Sequence, residues 1–554
     1  MTFNYQICAA AIVILGAALR LIGLGEAPFH PDEAIHAFFS GGFGNYKYDP
    51  VYHGPLLYHL VSTVFEIFGQ HNFAARLVPA LLGIGLLGLV LGPMRPFLGN
   101  RGALASAALL AVSPSVVSYS RRLLHDSLAL FLTLGAVWCL LLALENGANT
   151  ERGRNARVGL AAFLTLFLAT KANFFFIAVM LGAFYFAWRL AGRLKISGAL
   201  TKWVPPLLFL IVSGAAIAFP RDNAFAEAIK TSQHHIFQIV AVLSCVLFGF
   251  WLLMRPPHPI EQENKANWRQ SSDATTYILA LAAILWLYVL LFGGAAQTVT
   301  QWVQSGQFPA HTFAQGNEGA RSAIGKMLEY WGGQQQKPRL PGRHDYYFVL
   351  LLLYELPVFF AALGGIWHAA KHRSAFSDLL LWWAFTSWTV YALANEKVPW
   401  LLVHSVLPLA LLGGLWLGQI AWKKSSLALA ATAGLLFSLR GVSGVNFERA
   451  GDNVEPMLFA QTPDAFRDAV HETLVQTRGD KRPVWIAGER QWPSVWYFRS
   501  KAPAMGDSGT ALAGVPTPNL YRAAVMEEAQ WPQFQIAGWK GKVVDFWIWP
   551  RASW

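Results

Sequence analysis

Runs of about 20 apolar residues recur along the chain from residue 7 to residue 440, separated by short polar loops. Hydrophobic residues make up 55% of the 554 residues and charged residues only 13%. A water-soluble protein would leave too much of this apolar surface in contact with water, whereas a bilayer would accommodate it. The sequence therefore predicts an all-α integral membrane protein that crosses the bilayer many times.

The distribution of Lys and Arg predicts which loops are cytoplasmic. With the N-terminus inside, every even-to-odd connection is basic, as the positive-inside rule requires. A hairpin with Lys171 at its outer tip keeps this agreement within 158–188. The C-terminus then lies outside the cell membrane. The thirteen predicted spans are 7–25, 73–93, 102–118, 123–144, 158–170, 174–188, 203–219, 235–254, 275–294, 347–367, 376–394, 399–420 and 425–440.

Three segments are expected on the outer side. Residues 26–72 form a loop in which 56–68 repeats apolar residues at helical spacing, as an amphipathic helix lying in the membrane interface does. Residues 295–346 are long enough for a lid or binding loop. From 445 to 554 the composition changes: "DAFRDAVHETLV" predicts a surface helix, and "RPVWIAG" and "VVDFWIW" predict strands. We therefore expect a transmembrane domain over 1–444 and a small extracytoplasmic α/β domain over 445–554.

Charged residues gather on the predicted outer side, where the positive-inside rule would discourage cations. Asp32 and Glu33 stand together in "HPDEAIHAFF", just after the first span. Polar groups at a membrane boundary are costly unless paired or hydrated, so such a set indicates function. Converging cations suit a phosphate, and paired acids suit proton abstraction or a metal. The other members are His53, Arg76, Arg121, Arg122, Asp126, Lys171, Glu396 and Lys397.

Each of these residues also has an ordinary structural interpretation. Pro31-Asp32-Glu33 is a typical helix start, with acids that complement the helix dipole. Arg121 and Arg122 could anchor lipid headgroups. Structural roles are favoured over zinc binding for His30, His36, His53 and His59, and over sugar stacking for the tryptophans of 485–496. The three cysteines lie in apolar runs and offer no disulfide framework and no metal-ligand spacing.

Several segments together resemble the GT-C membrane glycosyltransferases, in particular the protein O-mannosyltransferase and aminoarabinose-transferase group. They are "HPDEA", "YHGPLLYHL", "ARLVPALLG", "SRRLLHD", "LATKANFF" and "NEKVPWLLVHSVLPLALLGG". The segments "HDYYFVLLLLYELP" and "WPSVWYFR" are most similar to the flippase-associated glycosylation protein subfamily. The order and spacing of these segments, rather than any single motif, carry the resemblance.

The resemblance implies a polyprenyl-phosphate sugar donor and a catalytic Asp in the first outer loop, which corresponds to Asp32. It implies that Asp126 is the second outer acid, near a metal or the acceptor. The phosphate-binding basic residues correspond to Arg76, Lys171 and Lys397. The chain departs from aminoarabinose-transferase relatives at His53, where they have a Lys, and this puts the phosphate contact there in doubt.

We interpret the chain as an inverting glycosyltransferase with Asp32 as general base and Glu33 as the alternative. The acceptor is a glycan, a lipid or a protein. The sequence identifies no cofactor, and a divalent cation held by Asp126 with Asp32 is compatible with it but not required. Two other interpretations remain, a flippase or transporter of lipid-linked sugars and a non-catalytic assembly partner. The lipid-phosphate-binding candidates are His53, Arg76, Arg121, Arg122, Lys171, Glu396, Lys397 and His404.

Overall fold

A computed structural model gives the fold of most of the chain outside residues 195–290. The described residues are 4–42, 46–146, 150–194, 291–292, 323–334, 344–394, 396–420, 425–450, 455–487, 491–501, 504–505, 518–526, 528, 531–541 and 543–544. Helices dominate these ranges. The predicted spans 203–219, 235–254 and nearly all of 275–294 lie outside the described residues, so the number thirteen stays a prediction.

Nine helices precede residue 195 in the described ranges, and six more follow before residue 450. The first nine are α1 (Tyr5–Leu21), α2 (Pro31–Phe39), α3 (Leu56–Phe68), α4 (Asn72–Leu91), α5 (Arg95–Ala111), α6 (Pro114–Ser120), α7 (Asp126–Glu145), α8 (Glu151–Leu168) and α9 (Asn173–Leu194). The next six are α10 (323–334), α11 (Tyr346–Tyr354), α12 (Leu356–Lys371), α13 (Ala375–Leu393), α14 (Leu402–Leu417) and α15 (Ser425–Ser443).

Four helical segments in the described ranges are long and apolar enough to cross a membrane, and two bent pairs raise the number to six. The four are Asn72–Leu91, Asp126–Glu145, Pro399–Leu417 and Ala428–Glu448. Several such helices in one chain support a multi-pass membrane protein.

Two predicted spans are not straight helices. The segment predicted at 102–118 is α5 followed by α6, with a bend of 65°, and the segment predicted at 347–367 is α11 followed by α12, with a bend of 107°. A proline stands in the first turn after each break, and a proline disfavours helical geometry in the residue before it. These prolines account for the difference from the prediction.

The carboxylate of Glu355 joins the two breaks. Glu355 lies between α11 and α12 and is buried. Its Oε1 accepts hydrogen bonds from the hydroxyls of Ser113 and Ser115 at 2.7 and 2.6 Å, and from the Ser115 N–H at 2.9 Å. The Glu355 side chain at the break of one bent pair therefore caps the N-terminus of α6 in the other pair.

Helices α12 and α14 pack closely at Gly365. A Cβ atom at this position would lie 2.1 Å from the carbonyl oxygen of Leu412, so only glycine allows this approach. Small residues at such contacts bring helices close where lipid offers no hydrophobic drive between them. This contact supports the membrane interpretation of α14, which carries His404.

The first outer segment contains α2 and α3, and α3 has the predicted bounds. Leu57, Val61 and Phe65 are buried against the protein, whereas Ile67 and Phe68 are 69% and 55% exposed. The helix therefore turns most of its apolar stripe inward and presents apolar side chains at its C-terminal end. Its location in a membrane interface stays a prediction.

After residue 455 the chain forms three short parallel strands with helices on both faces. Phe466 of the helix Asp464–Gln476 packs with Val484 and Ile486 on one face of the sheet, and Phe534 of the helix Trp531–Ile536 packs on Trp485 from the other. The elements are α16 (Asp464–Gln476), β1 (Val484–Ile486), α17 (Gln491–Phe498), β2 (Ala504–Met505), β3 (Ala523–Val525) and α18 (Trp531–Ile536), in the sheet order β2-β1-β3. In the segment "VVDFWIW", Val543 and Val544 are not in a strand, and the rest lies outside the described residues.

Candidate active site

The first turn of α2 holds Asp32 with its carboxylate accessible. His30 caps the helix. Its ring Nδ1 accepts a hydrogen bond from the Asp32 N–H at 3.0 Å, and its backbone N–H donates to Glu33 Oε2 at 3.0 Å. The side chain of Asp32 is 45% exposed. The backbone at this position is therefore fixed while the carboxylate can meet a substrate.

Glu33, the neighbouring acid, is completely buried and fully hydrogen-bonded. Its Oε1 accepts from Arg76 Nε at 2.7 Å and from the Leu123 N–H at 2.7 Å, and its Oε2 accepts from Arg76 Nη2 at 2.8 Å. Burial alone would raise the pKa of the Glu33 carboxyl, but the Arg76 guanidinium and these donors outweigh burial and lower the pKa below its usual value. Glu33 is thus a structural carboxylate with no room for an acceptor hydroxyl.

Arg76 completes this buried unit. Its remaining N–H groups donate to the carbonyls of Leu24, Ala27 and Pro28 at 2.9–3.0 Å. A guanidinium has five N–H donors, and all five have partners here. Arg76 therefore links α4 to the start of the outer loop, and none of its N–H donors is left for a phosphate.

A second charged cluster forms around Asp126, the first residue of α7. Its Oδ1 lies 2.8 Å from Lys171 Nζ and 3.0 Å from His404 Nε2, and all three side chains are buried. Asn173 contributes an amide nitrogen 3.5 Å from the same ring nitrogen of His404. The structure therefore brings three predicted residues together from α7, the α8–α9 connection and α14.

The segment around His53 is tied to the loop that carries Lys171. The Gly54 N–H donates to the Thr170 carbonyl at 3.0 Å, and the Leu56 N–H donates to the Ala169 carbonyl at 2.9 Å. A Cβ at Gly54 would lie 2.2 Å from the Ala169 oxygen, which excludes larger residues. His53 itself has φ 68°, a left-handed conformation that costs a non-glycine residue about 1–3 kcal/mol. Such strain is typical of functional sites.

The imidazole rings of His36, His53 and His125 form a contact cluster, in which His125 touches the other two. The His125 ring meets that of His36 at a centroid distance of 4.8 Å and that of His53 at 5.0 Å, and His53 stacks on Trp331 at 5.3 Å. His36 follows Asp32 by one turn of α2, and His125 directly precedes Asp126. The cluster therefore connects the outer loop to the α7 terminus through ring contacts.

The geometry does not suit a metal between Asp126 and Asp32. The Asp126 Oδ1 atom already faces the Lys171 ammonium, a repulsive neighbour for a cation. Among the described residues, no group of three or more His, Cys, Asp or Glu side chains has an arrangement that could hold a metal ion.

The chain matches known proteins both in sequence and in fold. The family model of dolichyl-phosphate-mannose-protein mannosyltransferases matches residues 52–217. Two putative mannosyltransferases of Bacillus subtilis also match. YycA is 25% identical over 35% of this chain, and YkcB is 24% identical over 34% of it. These matches span only 28% and 25% of the two relatives' own lengths.

Two solved structures share the fold along most of the chain. ArnT from Cupriavidus metallidurans bound to undecaprenyl phosphate is 14% identical, with a TM-score of 0.53, over 92% of this chain and 87% of ArnT. The apo oligosaccharyltransferase of Archaeoglobus fulgidus is 12% identical, with a TM-score of 0.51, over 91% and 64%. The family-model match, the two relatives and the shared fold all indicate the predicted GT-C glycosyltransferase superfamily. The flippase-associated subfamily stays a prediction.

Besides Arg76, two more of the predicted phosphate-binding cations have structural partners. Arg121 donates to the carbonyls of Leu19, Ile22 and Gly23 at the end of α1. Lys397 donates to three carbonyls at the end of α13, at 2.6–2.9 Å. Both therefore cap the C-termini of helices, where cations are favourable.

Arg122 and Glu396 are the remaining predicted site residues. Arg122 is buried and donates to the Gln461 side chain at 2.7 Å. Glu396 is half-buried next to Lys397. The sequence had given no role to His125, to Asn173 or to the carbonyl of Phe459, which receives a hydrogen bond from His30. The signals in the sequence were that His125 directly precedes Asp126 and that Asn173 lies two residues after Lys171.

Proposed function

We propose that this protein is an integral-membrane inverting glycosyltransferase that moves a sugar from a polyprenyl phosphate to an acceptor at the outer face of the cell membrane. The observation that carries the proposal is the difference in surroundings between the adjacent acids Asp32 and Glu33. Asp32 keeps an exposed carboxylate on a capped helix start, whereas Glu33 is fully coordinated. A general base needs both accessibility and a fixed position.

The reaction balances without a cofactor. Asp32 accepts the proton of an acceptor hydroxyl, and the acceptor oxygen forms a bond to the anomeric carbon. The bond from that carbon to the phosphate oxygen breaks, and the polyprenyl phosphate leaves with the electron pair. Because attack and departure occur on opposite faces of the sugar, the anomeric configuration inverts.

A lipid-phosphate donor is supported by the superfamily and by the charge on Lys171. ArnT was solved with undecaprenyl phosphate, and the Archaeoglobus fulgidus enzyme was also solved with dolichol-phosphate. In this chain, Asp126 takes one of the three N–H donors of Lys171. We assign Lys171, with His53 and Arg122, to the growing charge on the leaving phosphate, where one such donor typically contributes about 3–4 kcal/mol. His404 would orient Asp126.

The test compares two Asp→Asn substitutions in the same outer segment. Asp32→Asn removes the base and keeps the size of the side chain, so transfer should fall about 10²–10⁴-fold. Asp49→Asn is the control, because Asp49 also caps a short helix and Asn caps equally well. Transfer from a polyprenyl-phosphate sugar would be measured with purified protein in nanodiscs, and donor binding separately. Full activity in Asp32→Asn would reject the assignment.

A second candidate function is transport of a lipid-linked headgroup. Glu355 favours it, because it is buried at the break between α11 and α12, and transporters build substrate sites from buried polar residues and broken helices. Donor binding without turnover, together with movement of the labelled lipid across the bilayer of a proteoliposome, would support transport. Product formation would support the enzyme.

A further inference from the structure

The residues just before Asp32 are held by the C-terminal part of the chain. The Pro28 carbonyl accepts a hydrogen bond from Gln461 Nε2 at 3.3 Å, and the Phe29 N–H donates to the Tyr497 hydroxyl at 2.9 Å. The Phe29 ring also stacks on Trp496 at 5.2 Å. More than 400 residues of sequence therefore separate Asp32 from the groups that hold its loop.

His30 links this support to Asp32. Its Nε2 is hydrogen-bonded to the carbonyl of Phe459. A carbonyl only accepts, so Nε2 carries the proton and Nδ1 keeps a lone pair. That lone pair accepts from the Asp32 N–H at 3.0 Å. The Phe459 carbonyl therefore selects the tautomer that can cap α2.

The surroundings keep the ring in this state. His30 is 3% exposed and lies edge-on to Trp400, which also contacts Phe459. Burial lowers the pKa of His30, and the nearby Arg122 charge acts in the same direction, although Asp32 opposes both. A neutral imidazole is the form that the cap requires.

We infer that His30 is a positioning residue, which holds the backbone of Asp32 in the direction needed for proton abstraction. The inference rests on the proposed function of Asp32. If the ring is lost, the first turn of α2 can fray, and the carboxylate moves relative to the acceptor. A displacement of about 1 Å in a reacting group can cost roughly 10²-fold in rate.

The test uses His30→Ala and His30→Asn with His71→Ala as the matched control. His71 also caps a helix through Nδ1, with a 3.2 Å hydrogen bond from the Ala74 N–H, but it is exposed and caps α4 rather than the helix of Asp32. We expect His30→Ala to lower kcat about 10²-fold with donor KM nearly unchanged. His30→Asn should recover at least tenfold of that loss, since Asn is among the best capping residues. His71→Ala should match the wild type.

A second measurement does not depend on turnover. Hydrogen exchange of the peptide covering 30–39 should accelerate in His30→Ala, recover in His30→Asn and stay unchanged in His71→Ala. If the wild type transfers no sugar, the proposed function fails, but exchange still tests the role of His30. Wild-type kcat or wild-type exchange in His30→Ala, or no recovery in His30→Asn, would overturn the inference. So would equal losses in His71→Ala.

Discussion

The buried pair of Glu33 and Arg76 offers the most demanding test of the structure of the first outer loop. Glu33 accepts four hydrogen bonds, two from Arg76 and one each from the N–H groups of His30 and Leu123. In Glu33→Gln, the carbonyl oxygen can replace only one carboxylate oxygen, and the new NH₂ group faces donors. The Arg76 charge also loses its counter-ion.

The expected cost is large because the pair is buried. Losing two charge-assisted hydrogen bonds at about 1.5–3 kcal/mol each agrees with the 3–5 kcal/mol typical of breaking one side of a buried ion pair. Arg76→Met should cost about as much, and the double variant should cost less than the sum, because each single variant leaves an uncompensated buried charge.

The assay is the free energy of unfolding in mixed micelles for the two single variants and the double variant. Glu66→Gln is the matched control, since Glu66 is exposed on α3, and it should change stability by less than about 0.5 kcal/mol. A loss below about 1 kcal/mol in Glu33→Gln, or strictly additive losses, would refute the assignment of Glu33 to a structural role.

Three further predictions concern other parts of the molecule. Gly54→Ala should impair both stability and transfer, because its Cβ would collide with the Ala169 carbonyl, whereas Gly88→Ala has open space and should be tolerated; thermal shift and transfer assays would compare them, and equal behaviour would contradict the docking of this loop. Burial lowers the pKa values of His30 and His36, so the folded state favours neutral rings; their stabilisation is present above the unfolded pKa of about 6.5 and is lost as pH falls below it. Melting temperatures measured from pH 7.5 to 5.5 should therefore fall, and a rise would oppose this. A topology reporter fused after Trp554 should be active only outside the cytoplasm, and cytoplasmic activity would reverse the proposed orientation.

Local residue patterns were enough to predict several helices, but contacts between residues far apart in the sequence could not be predicted. The apolar period over 56–68 gave α3 its bounds, and the cluster of outer charges included Asp126 and Lys171, which pair. Periodicity alone could not show the breaks at 112–113 and at Glu355, although Pro114 and Pro357 are local signals for them.

The roles of the arginines show the limit more clearly. Arg76 and Arg121 were expected at a phosphate because charge near a membrane boundary indicates function. Arg76 pairs with Glu33, and both arginines donate to carbonyls of residues 19–28, which the chain brings near only after folding. A sequence shows how many charges lie on one side but not which of them backbone carbonyls will satisfy. Lys171 and Lys397 were equally plausible for the same reason, and only Lys171 lies beside Asp126.

The central claim is that the protein catalyses sugar transfer with inversion, using Asp32 as base. The most direct measurement is the anomeric configuration of the product formed by purified wild-type protein in nanodiscs, by NMR, from a polyprenyl-phosphate sugar of known configuration. We expect a product of opposite configuration to the donor, formed by the wild type and Asp49→Asn and nearly absent with Asp32→Asn. A product with retained configuration, or donor binding without any product, would contradict it.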